Sequence, residues 1–412
     1  MIKRTIADSI AKTVRDYPVT VVSGPRQVGK STLVFHQFMK EGYSYVGLDD
    51  RREQALAKND PAGFLAAHPG KLIIDEAQKA KELFPEIEKI VNRIRLEKGN
   101  REANGMFILI GSYSKALLEG AKESFSGRVG IIKMSPLSMR EIQGKEETPF
   151  HPSKEDSFRS SQDFSLGDKK LLRYIVRGFM PGLYDNPEMD ASTYYSSYLQ
   201  TYMEKDLRDV MDVKDEVKYE NFLMLLASNT GEELVYDSYA KQIGVSAVTI
   251  KTWIDALFKM GIVYLCQPYN ETSLVKRVVK RPKLYFFDTG FACYLAGIRD
   301  GETLGRSFLK GRFVETYFFN EIRKSYLNSN EDIPFYYYRD SMQGEVDLVL
   351  VANGTLSCVE FKSGSEFSKK NIAAFNNLNS TKLLRGVGAI VCTTDKPYAI
   401  DGNNLVLPAS SI

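Results

Sequence analysis

A run of eight residues near the N-terminus has the types and spacing needed to bind phosphate. It fits the pattern G-x-x-x-x-G-K-[ST], in which glycines let backbone N–H groups surround phosphate oxygens at the start of a helix. The run consists of Gly24, Pro25, Arg26, Gln27, Val28, Gly29, Lys30 and Ser31. We expect Lys30 to neutralise the β- and γ-phosphates, and Ser31, with Thr32 beside it, to offer a hydroxyl to Mg²⁺. The run therefore predicts ATP and Mg²⁺ as ligands.

The apolar segment 72–74 ends in two acids, Asp75 and Glu76. A buried strand of a parallel sheet delivers such residues to its carboxyl edge, where ligands bind. We expect Asp75 to hold magnesium through water and Glu76 to polarise the attacking water as a base. The alternative is an acid pair at the end of a surface strand, which would have to coincide with a phosphate loop. The two motifs together therefore favour nucleotide hydrolysis.

Two more residues are candidates for the same chemistry. The apolar segment 107–110 ends in Gly111-Ser112, and Ser112 is expected to sense the γ-phosphate or orient water. Arg128 follows a glycine and is a candidate arginine finger, from this or a neighbouring subunit; such fingers raise rates by roughly 10³–10⁵. The alternative for Arg128 is a surface arginine in a turn. The predicted catalytic residues of this site are thus Glu76, Ser112 and Arg128.

Charged residues recur in a second set near the C-terminus. Glu360 and Lys362 are two apart on a strand-like segment, so their side chains share a face. Asp347 begins the preceding strand, and Glu315 lies on the preceding helix. Carboxylates suit a hard cation, so Asp347, Glu360 and Glu315 are the expected magnesium ligands. Lys362 would then position or deprotonate a water that attacks phosphorus.

The interpretation of this second set remains open on sequence alone. Gln343 or Glu345 could approach the set from the start of the strand. On the other hand, Asp, Glu and Lys on edge strands are commonly ordinary solvated residues, and a lone Glu-x-Lys is weak support for catalysis. Function has to be argued from the geometry of the site.

Hydrophobic periodicity predicts the elements that position these residues. In the first 150 residues, short β-branched segments alternate with helical patterns, which predicts an α/β fold with a parallel sheet. The charged segment 93–104 is expected to be a surface loop. Four regions are predicted: a P-loop domain at 1–150, a polar insertion or linker at 151–170, a helical and winged-helix-like region at 171–300, and a separate α/β domain at 301–412.

The winged-helix-like pattern consists of two helices around residues 244–246, followed by two strand-like segments. Trp253 and Leu257 are expected to be core residues. The exposed face of the second helix would offer Thr249, Lys251, Thr252 and Lys259, opposed by Asp255. A basic group that could contact phosphates along a wing comprises Lys276, Arg277, Lys280, Arg281 and Lys283. The alternative is a spacer or protein-docking module.

Composition restricts the class of protein. The 412 residues are 43% hydrophobic and 26% charged, which is typical of a globular protein. A net charge of +3 requires any DNA site to be a local patch. Four scattered cysteines and only three histidines indicate neither a zinc site nor a disulfide framework. With no apolar segment of about 20 residues, a cytoplasmic protein without a membrane partner is expected.

These motifs together resemble the AAA-type ATPases of bacteria and archaea that carry an uncharacterised C-terminal domain. The similarity covers nearly the whole chain and rests on 24–31, 75–78, 111–112, 126–128, 136–138, 177–179, 202–206 and 285–290. It implies an ATP-binding, ATP-hydrolysing protein whose C-terminal half is similar to restriction endonucleases. Such ATPases commonly form rings, but nothing in this sequence sets the number of subunits.

Three hypotheses follow for the whole chain. The leading one is a magnesium-dependent ATPase that repositions a nucleic-acid-binding, nuclease-like module on DNA or another nucleic acid. The second keeps the ATPase as a conformational switch and makes the C-terminal half a non-catalytic protein-interaction or DNA-binding module. The third is a nucleotide-binding scaffold without turnover, which the complete acid pair at residues 75–76 disfavours.

Overall fold

The computed structural model describes residues 2–112, 115–153, 155, 161–201, 215–270, 281–340, 344–379 and 381–412. The chain divides into two compact units. Unit 1 comprises Met1–Leu137 with the short segments Lys259–Gly261 and Leu327–Asn330, and unit 2 comprises the remainder. No helix within these described ranges is both long and apolar enough to cross a membrane.

Unit 1 contains a five-stranded parallel sheet in the order β2-β3-β4-β1-β5. Its strands are β1 Val19–Gly24, β2 Ser44–Gly47, β3 Leu72–Asp75, β4 Phe107–Ser112 and β5 Val129–Lys133. Its helices are α1 Ile6–Asp16, α2 Lys30–Phe38, α3 Arg51–Asn59, α4 Pro61–Ala67, α5 Leu83–Lys98 and α6 Lys115–Ser124. Every residue of β1 is buried, as expected for a central strand of a parallel sheet.

The order of the strands positions the predicted site residues. Strand β4 lies between β1 and β3, and Gly24 is the partner of Ser112 in the β1–β4 register. All three strands run in the same direction, so the residues that follow them meet at the carboxyl edge of the sheet. The phosphate loop after β1, Ser112 on β4 and Asp75 on β3 are therefore neighbours.

The segment 93–104 is not the surface loop that its charge predicts. Helix α5 continues to Lys98 because the apolar spacing continues: Ile87 and Val91 are buried, and Ile90 and Ile94 pack against the same core. The helix ends at Gly99, whose φ of 102° suits a glycine. The charged residues up to Lys98 occupy the solvent side of an amphipathic helix, and Arg101 and Glu102 lie in the short 3₁₀ helix Asn100–Ala103 that follows it.

Unit 2 begins with helical segments. They are α7 Met139–Ile142, α8 Asp168–Arg177, α9 Pro181–Asp185, α10 Ala191–Thr201, α11 Glu216–Ser228, α12 Tyr236–Ile243, α13 Ala247–Lys259, α14 Thr289–Leu295, α15 Gly301–Arg306 and α16 Lys310–Asn328. Helices α12 and α13 flank a turn at Gly244, and Trp253 and Leu257 of α13 are buried as predicted.

The sheet of unit 2 is mixed and has nine strands among the described residues. They are β6 Val263–Pro268, β7 Lys283–Phe286, β8 Phe335–Arg339, β9 Glu345–Ala352, β10 Thr355–Phe361, β11 Leu384–Arg385, β12 Gly388–Cys392, β13 Tyr398–Ala399 and β14 Asn404–Pro408. Strand β6 pairs antiparallel with β7 and parallel with β8, so the β6–β7 hairpin continues the C-terminal sheet. The α/β class, with a parallel N-terminal sheet, a helical middle and a C-terminal α/β region, is confirmed.

A buried acid ties three segments of unit 2 together. The Asp288 carboxylate, 1% exposed, accepts hydrogen bonds from the Tyr195 hydroxyl at 2.6 Å, the Phe179 N–H at 2.7 Å and the Phe291 N–H at 2.8 Å. Gly178 has φ +76°, and a Cβ there would lie 1.9 Å from the Tyr195 hydroxyl oxygen. The close approach of these segments therefore requires glycine at 178.

Gly178→Ala should destabilise unit 2 by about 3 kcal/mol or more, because the added methyl group displaces the Tyr195–Asp288 hydrogen bond and strains the backbone. Gly297→Ala is the matched control, since its φ is +77° but a Cβ there meets nothing within 4 Å. It should cost only about 1 kcal/mol. Urea unfolding followed by the fluorescence of Trp253, the single tryptophan, measures both. An equal loss of unfolding free energy in both variants would show that the contact with Tyr195 does not require glycine at 178.

Candidate functional site

The phosphate loop has the backbone geometry that its sequence predicts. Gly29, with φ 90°, precedes the first residue of α2, and Gln27 also has a positive φ of 60°. At the start of the loop, a Cβ on Gly24 would lie 2.2 Å from the Met134 carbonyl oxygen. The loop therefore needs glycine at both ends, and it presents the N-terminus of α2 to a ligand.

Arg4 supports the loop from behind, a role that the sequence did not predict. Its buried guanidinium donates hydrogen bonds to the carbonyl oxygens of Val28 and Ser135, each at 2.8 Å. Arg4 therefore fixes the loop against the segment that follows β5.

The Lys30 ammonium is buried within the loop. It donates to the carbonyl oxygens of Gly24 at 2.9 Å and Pro25 at 2.7 Å. Phosphate oxygens carry more negative charge than amide carbonyls, so a bound phosphate would attract the same ammonium. Lys30, on the first turn of α2, is thus placed for the role predicted from the motif.

Asp75 and Glu76 lie at the end of β3 with defined partners. The Asp75 carboxylate accepts a hydrogen bond from the Tyr45 hydroxyl at 2.6 Å and one from the Glu76 N–H at 2.9 Å. Burial, reinforced by the bond to Asp75, raises the pKa of Tyr45, so this hydroxyl remains a donor. Glu76 has φ +54°, in the left-handed region, which turns the chain at the edge of the sheet. Tyr45 was missed by the sequence analysis.

Gln78 links Glu76 to β4. Its amide nitrogen donates to the Glu76 carboxylate, and a Cβ on Gly111 would lie 2.1 Å from its amide oxygen. That amide oxygen and the Ser112 hydroxyl oxygen are both buried, and neither has a hydrogen-bond partner among the described residues. Two unpaired polar atoms thus lie beside the phosphate loop, where the γ-phosphate and attacking water are predicted. These residues fit ATP with Mg²⁺.

Arg128 is not brought to this edge. It precedes β5, and Val129 is the partner of Val19, the first residue of β1, so Arg128 lies at the amino edge of the sheet. A six-residue strand is roughly 20 Å long, which separates it from the phosphate loop. Its guanidinium pairs with Glu88 at 2.9 Å. Within the part of the chain that the structure describes, Arg128 has no contact with the predicted nucleotide site; its action across a subunit interface stays a prediction.

The C-terminal charged residues do converge. We call the following set the C-terminal cluster: Lys283, Glu315, Glu345, Asp347, Glu360 and Lys362. At its centre the Lys283 ammonium lies 2.9 Å from Glu315 Oε1, 2.6 Å from Glu345 Oε1 and 3.5 Å from Asp347 Oδ1. Lys283 is 4% exposed, so it does not lie on an exposed basic wing as the sequence analysis expected. It projects instead from β7 into the acids of α16 and β9.

The remaining members of the C-terminal cluster are paired on β10. Lys362 donates to Glu360 Oε1 at 2.6 Å, and the Phe361 N–H donates to Asp347 Oδ2 at 2.9 Å. The second oxygen of Glu360 is buried and has no partner in the described part of the chain. Lys362 and Glu360 therefore share a face, as the strand period predicts.

Burial changes the proton affinities in the C-terminal cluster. Burial raises the pKa of Glu360 to about 8, with Asp347 adding to the effect and Lys362 opposing it. Burial likewise raises the pKa of Glu315 to about 7, opposed chiefly by Lys283. Burial alone would lower the pKa of Lys283, but the surrounding anionic groups, Glu315 first, raise it well above its ordinary value. Lys283 is therefore charged at neutral pH.

The magnesium ligands predicted here do not assemble into a metal site. Among the described residues no three His, Cys, Asp or Glu side chains form a group that could hold a metal ion. Lys283 instead lies between Glu315 and Asp347. Gln343 lies outside the described residues, whereas Glu345 contacts Lys283 directly. The donors present in this arrangement do not fit a divalent cation.

The predicted nucleic-acid surface is described only in part. Lys251, Thr252 and Lys259 of α13 and Arg281 are exposed, and Thr249 is half-buried. Lys276, Arg277 and Lys280, together with the motif 202–206, lie outside the described residues. Four exposed or half-exposed polar side chains on one helix do not identify a ligand by themselves.

Three segments of the chain match known protein families. Residues 16–143 match a family described as an AAA domain, whereas 168–302 and 310–412 match two domains of unknown function. Uncharacterized proteins of Mycobacterium tuberculosis and Mycobacterium bovis are each 25% identical over 413 residues, covering 100% of this chain and 84% of the relative.

Among solved structures, a Walker-type ATPase of Pyrococcus abyssi is 14% identical with a TM-score of 0.44, covering 70% of this chain and 94% of that one. The AAA match coincides with the phosphate loop, Asp75, Glu76 and Ser112 on one edge of the sheet. The match to an AAA domain thus spans the parallel sheet of unit 1 and the phosphate loop that the sequence predicts.

The raised pKa of Glu360 predicts a pH-dependent stability. A carboxyl whose folded pKa is about 8 and whose ordinary value is 4.5 contributes stability below pH 4.5 that is lost as pH rises through 8. The side chain in Glu360→Gln cannot ionise, so this variant should not lose that stability. The free energy of unfolding of Glu360→Gln minus that of the wild type should therefore increase by about 1 kcal/mol per pH unit between those limits.

Urea unfolding of unit 2 at pH 5.5, 6.5, 7.5 and 8.5, followed by Trp253 fluorescence, measures this difference. Glu366→Gln, at an exposed carboxylate of the same region, is the control and should show no such trend. A difference between Glu360→Gln and the wild type that is constant with pH would show that burial does not hold the proton on Glu360.

Proposed function

We propose that the chain hydrolyses ATP in a magnesium-dependent reaction at the carboxyl edge of the unit 1 sheet. The observation that carries the proposal is the order β3-β4-β1, which brings the phosphate loop, Ser112 and the Asp75-Glu76 pair together. Three independent sequence motifs thus meet at one place. Magnesium, when bound with ATP, neutralises the charge that develops on the β- and γ-phosphates.

Each residue of this site has a separate role in the proposal. Lys30 leaves the loop carbonyls to contact the β- and γ-phosphates, and the Ser31 hydroxyl and Asp75 hold the metal. Tyr45 fixes one oxygen of the Asp75 carboxylate. Glu76 takes a proton from the attacking water, which requires its carboxylate to be oriented toward the γ-phosphate. The unpaired Ser112 hydroxyl is available to contact that phosphate or the water.

For the C-terminal half, the geometry favours the hypothesis of a non-catalytic binding module that responds to the nucleotide state. The supporting observation is that Lys283 and Lys362 already contact the acids that a nuclease would need for metal. Exposed Lys251 and Arg281 support nucleic acid as one class of partner. The proposal also includes assembly of several copies of the chain, with Arg128 acting across the interface. It further includes a cytoplasmic location, in which the four cysteines are reduced.

Two variants test ATP hydrolysis. Lys30→Ala should weaken nucleotide binding, because the phosphates lose their buried cation. Glu76→Gln should still bind ATP but release phosphate about 10²- to 10⁴-fold more slowly, because an amide cannot accept the proton. Fluorescent-nucleotide binding and phosphate release separate the two effects. Glu97→Gln, an exposed acid of α5, is the control. Phosphate release at the wild-type rate by Glu76→Gln would refute the assigned base.

Gln78→Ala tests a positioning role for the amide that holds Glu76. Removing it should lower kcat about 10- to 100-fold and change KM by a smaller factor, since a small misorientation of a catalytic group is costly. Gln78→Glu should lower kcat further, because it places a like charge beside Glu76. An unchanged or increased kcat for Gln78→Ala would show that Gln78 does not orient the base productively.

A further inference from the structure

The central observation is a buried ammonium, that of Lys283, among the carboxylates that the sequence predicts as magnesium ligands. Lys283 comes from the β6–β7 hairpin, whereas the acids that it contacts come from α16 and β9. Its side chain is 5% exposed and those of Glu315 and Asp347 are 19% and 8% exposed. A buried charge is stable only when it is paired, so these contacts are a requirement of the fold.

At least one oxygen of each carboxylate in the C-terminal cluster already has a partner, whereas the second oxygen of Glu360 has none among the described residues. Glu315 Oε1, Glu345 Oε1 and Asp347 Oδ1 face Lys283, Asp347 Oδ2 accepts the Phe361 N–H, and Glu360 Oε1 accepts from Lys362. A divalent ion needs six or more oxygens at about 2.0–2.6 Å. It would have to displace the ammonium to reach Glu315 and Asp347 together.

Lys283 cannot leave easily, because its surroundings hold both its backbone and its side chain. Its backbone pairs with Cys266 of β6 on one side and bridges to Glu233 on the other. The Tyr285 hydroxyl, on the same face of β7, donates to the same oxygen of Glu315 at 2.8 Å. The Tyr337 ring centroid lies 5.7 Å from the ammonium, and the Tyr337 hydroxyl bonds the Arg281 carbonyl two residues before Lys283.

We propose that Lys283 is the resident cation of the C-terminal cluster, and that it excludes divalent metal from these carboxylates. The ammonium supplies the positive charge that would otherwise come from magnesium, and it fastens the hairpin to the C-terminal sheet. The C-terminal half is then complete without a metal. This inference does not depend on ATP hydrolysis in unit 1.

The test is Mn²⁺ binding to the full-length chain without nucleotide, measured by the loss of the free-ion electron paramagnetic resonance signal. The wild type and Asp347→Asn should bind alike, with no Mn²⁺ site that depends on Asp347. Lys283→Met keeps the length of the side chain and removes its charge. This variant should gain one Mn²⁺ site per chain, with an affinity for Mn²⁺ at least about tenfold higher than that of the wild type. The double variant Lys283→Met/Asp347→Asn should lose it. Lys251→Met, at an exposed lysine of α13, is the matched control.

A second readout is the thermal unfolding of unit 2. The Lys283→Met variant should melt below the wild type, and Mn²⁺ should raise its midpoint while leaving that of the wild type unchanged. A wild-type Mn²⁺ site that Asp347→Asn removes would overturn the proposal, and this comparison needs no variant of Lys283 to fold. A folded Lys283→Met protein that gains no metal site would overturn the claim that the lysine is what excludes metal.

Discussion

Buried charge must meet opposite charge or hydrogen-bonding groups, and this requirement joins segments that are far apart in the sequence. Arg4 is held by carbonyl oxygens of the phosphate loop and of the segment after β5, and Asp288 by groups from three segments. Lys283, on the β6–β7 hairpin, contacts one acid of helix α16 and one of strand β9. In each case the polar contact decides how closely backbone segments approach, and apolar side chains fill the remaining space.

The nucleotide site was predictable because its parts are local in the sequence. Each motif consists of an apolar strand and the polar residue that follows it, and a parallel sheet brings such ends together without further information. The same rule could have placed Arg128 correctly: it precedes its strand, so it belongs to the opposite edge. The extent of α5 could also have been predicted from the sequence, since Ile90 and Ile94 continue the helical spacing of apolar residues into the charged segment.

The contacts of Lys283 could not be predicted in the same way. Its partner Glu315 is 32 residues away, and nothing in the sequence says that β6 joins β8 and so brings the hairpin to the C-terminal sheet. Composition suggested a basic wing because Lys283 follows other cations. The one local signal was the position of Lys283 in the otherwise apolar segment Lys283–Phe286. There it lies two residues from Tyr285 and therefore shares a buried face of the strand with it. Tyr45 was missed for a related reason, because it acts on Asp75 from the neighbouring strand. Gln78 lies only two residues from Glu76, but the motif alone gave its side chain no role.

The two polar clusters differ in the ammonium groups that already face their acids, although each cluster has a buried oxygen without a partner among the described residues. At the predicted nucleotide site, buried oxygens of Ser112 and Gln78 lack partners in the described structure, and the Lys30 ammonium donates to two carbonyl oxygens of the phosphate loop. A phosphate with its metal would improve on each of these interactions. In the C-terminal cluster two ammonium groups already face the acids, and a metal would have to break ion pairs before it could form bonds. We therefore expect ligand binding to gain more free energy at the phosphate loop of unit 1 than at the C-terminal cluster.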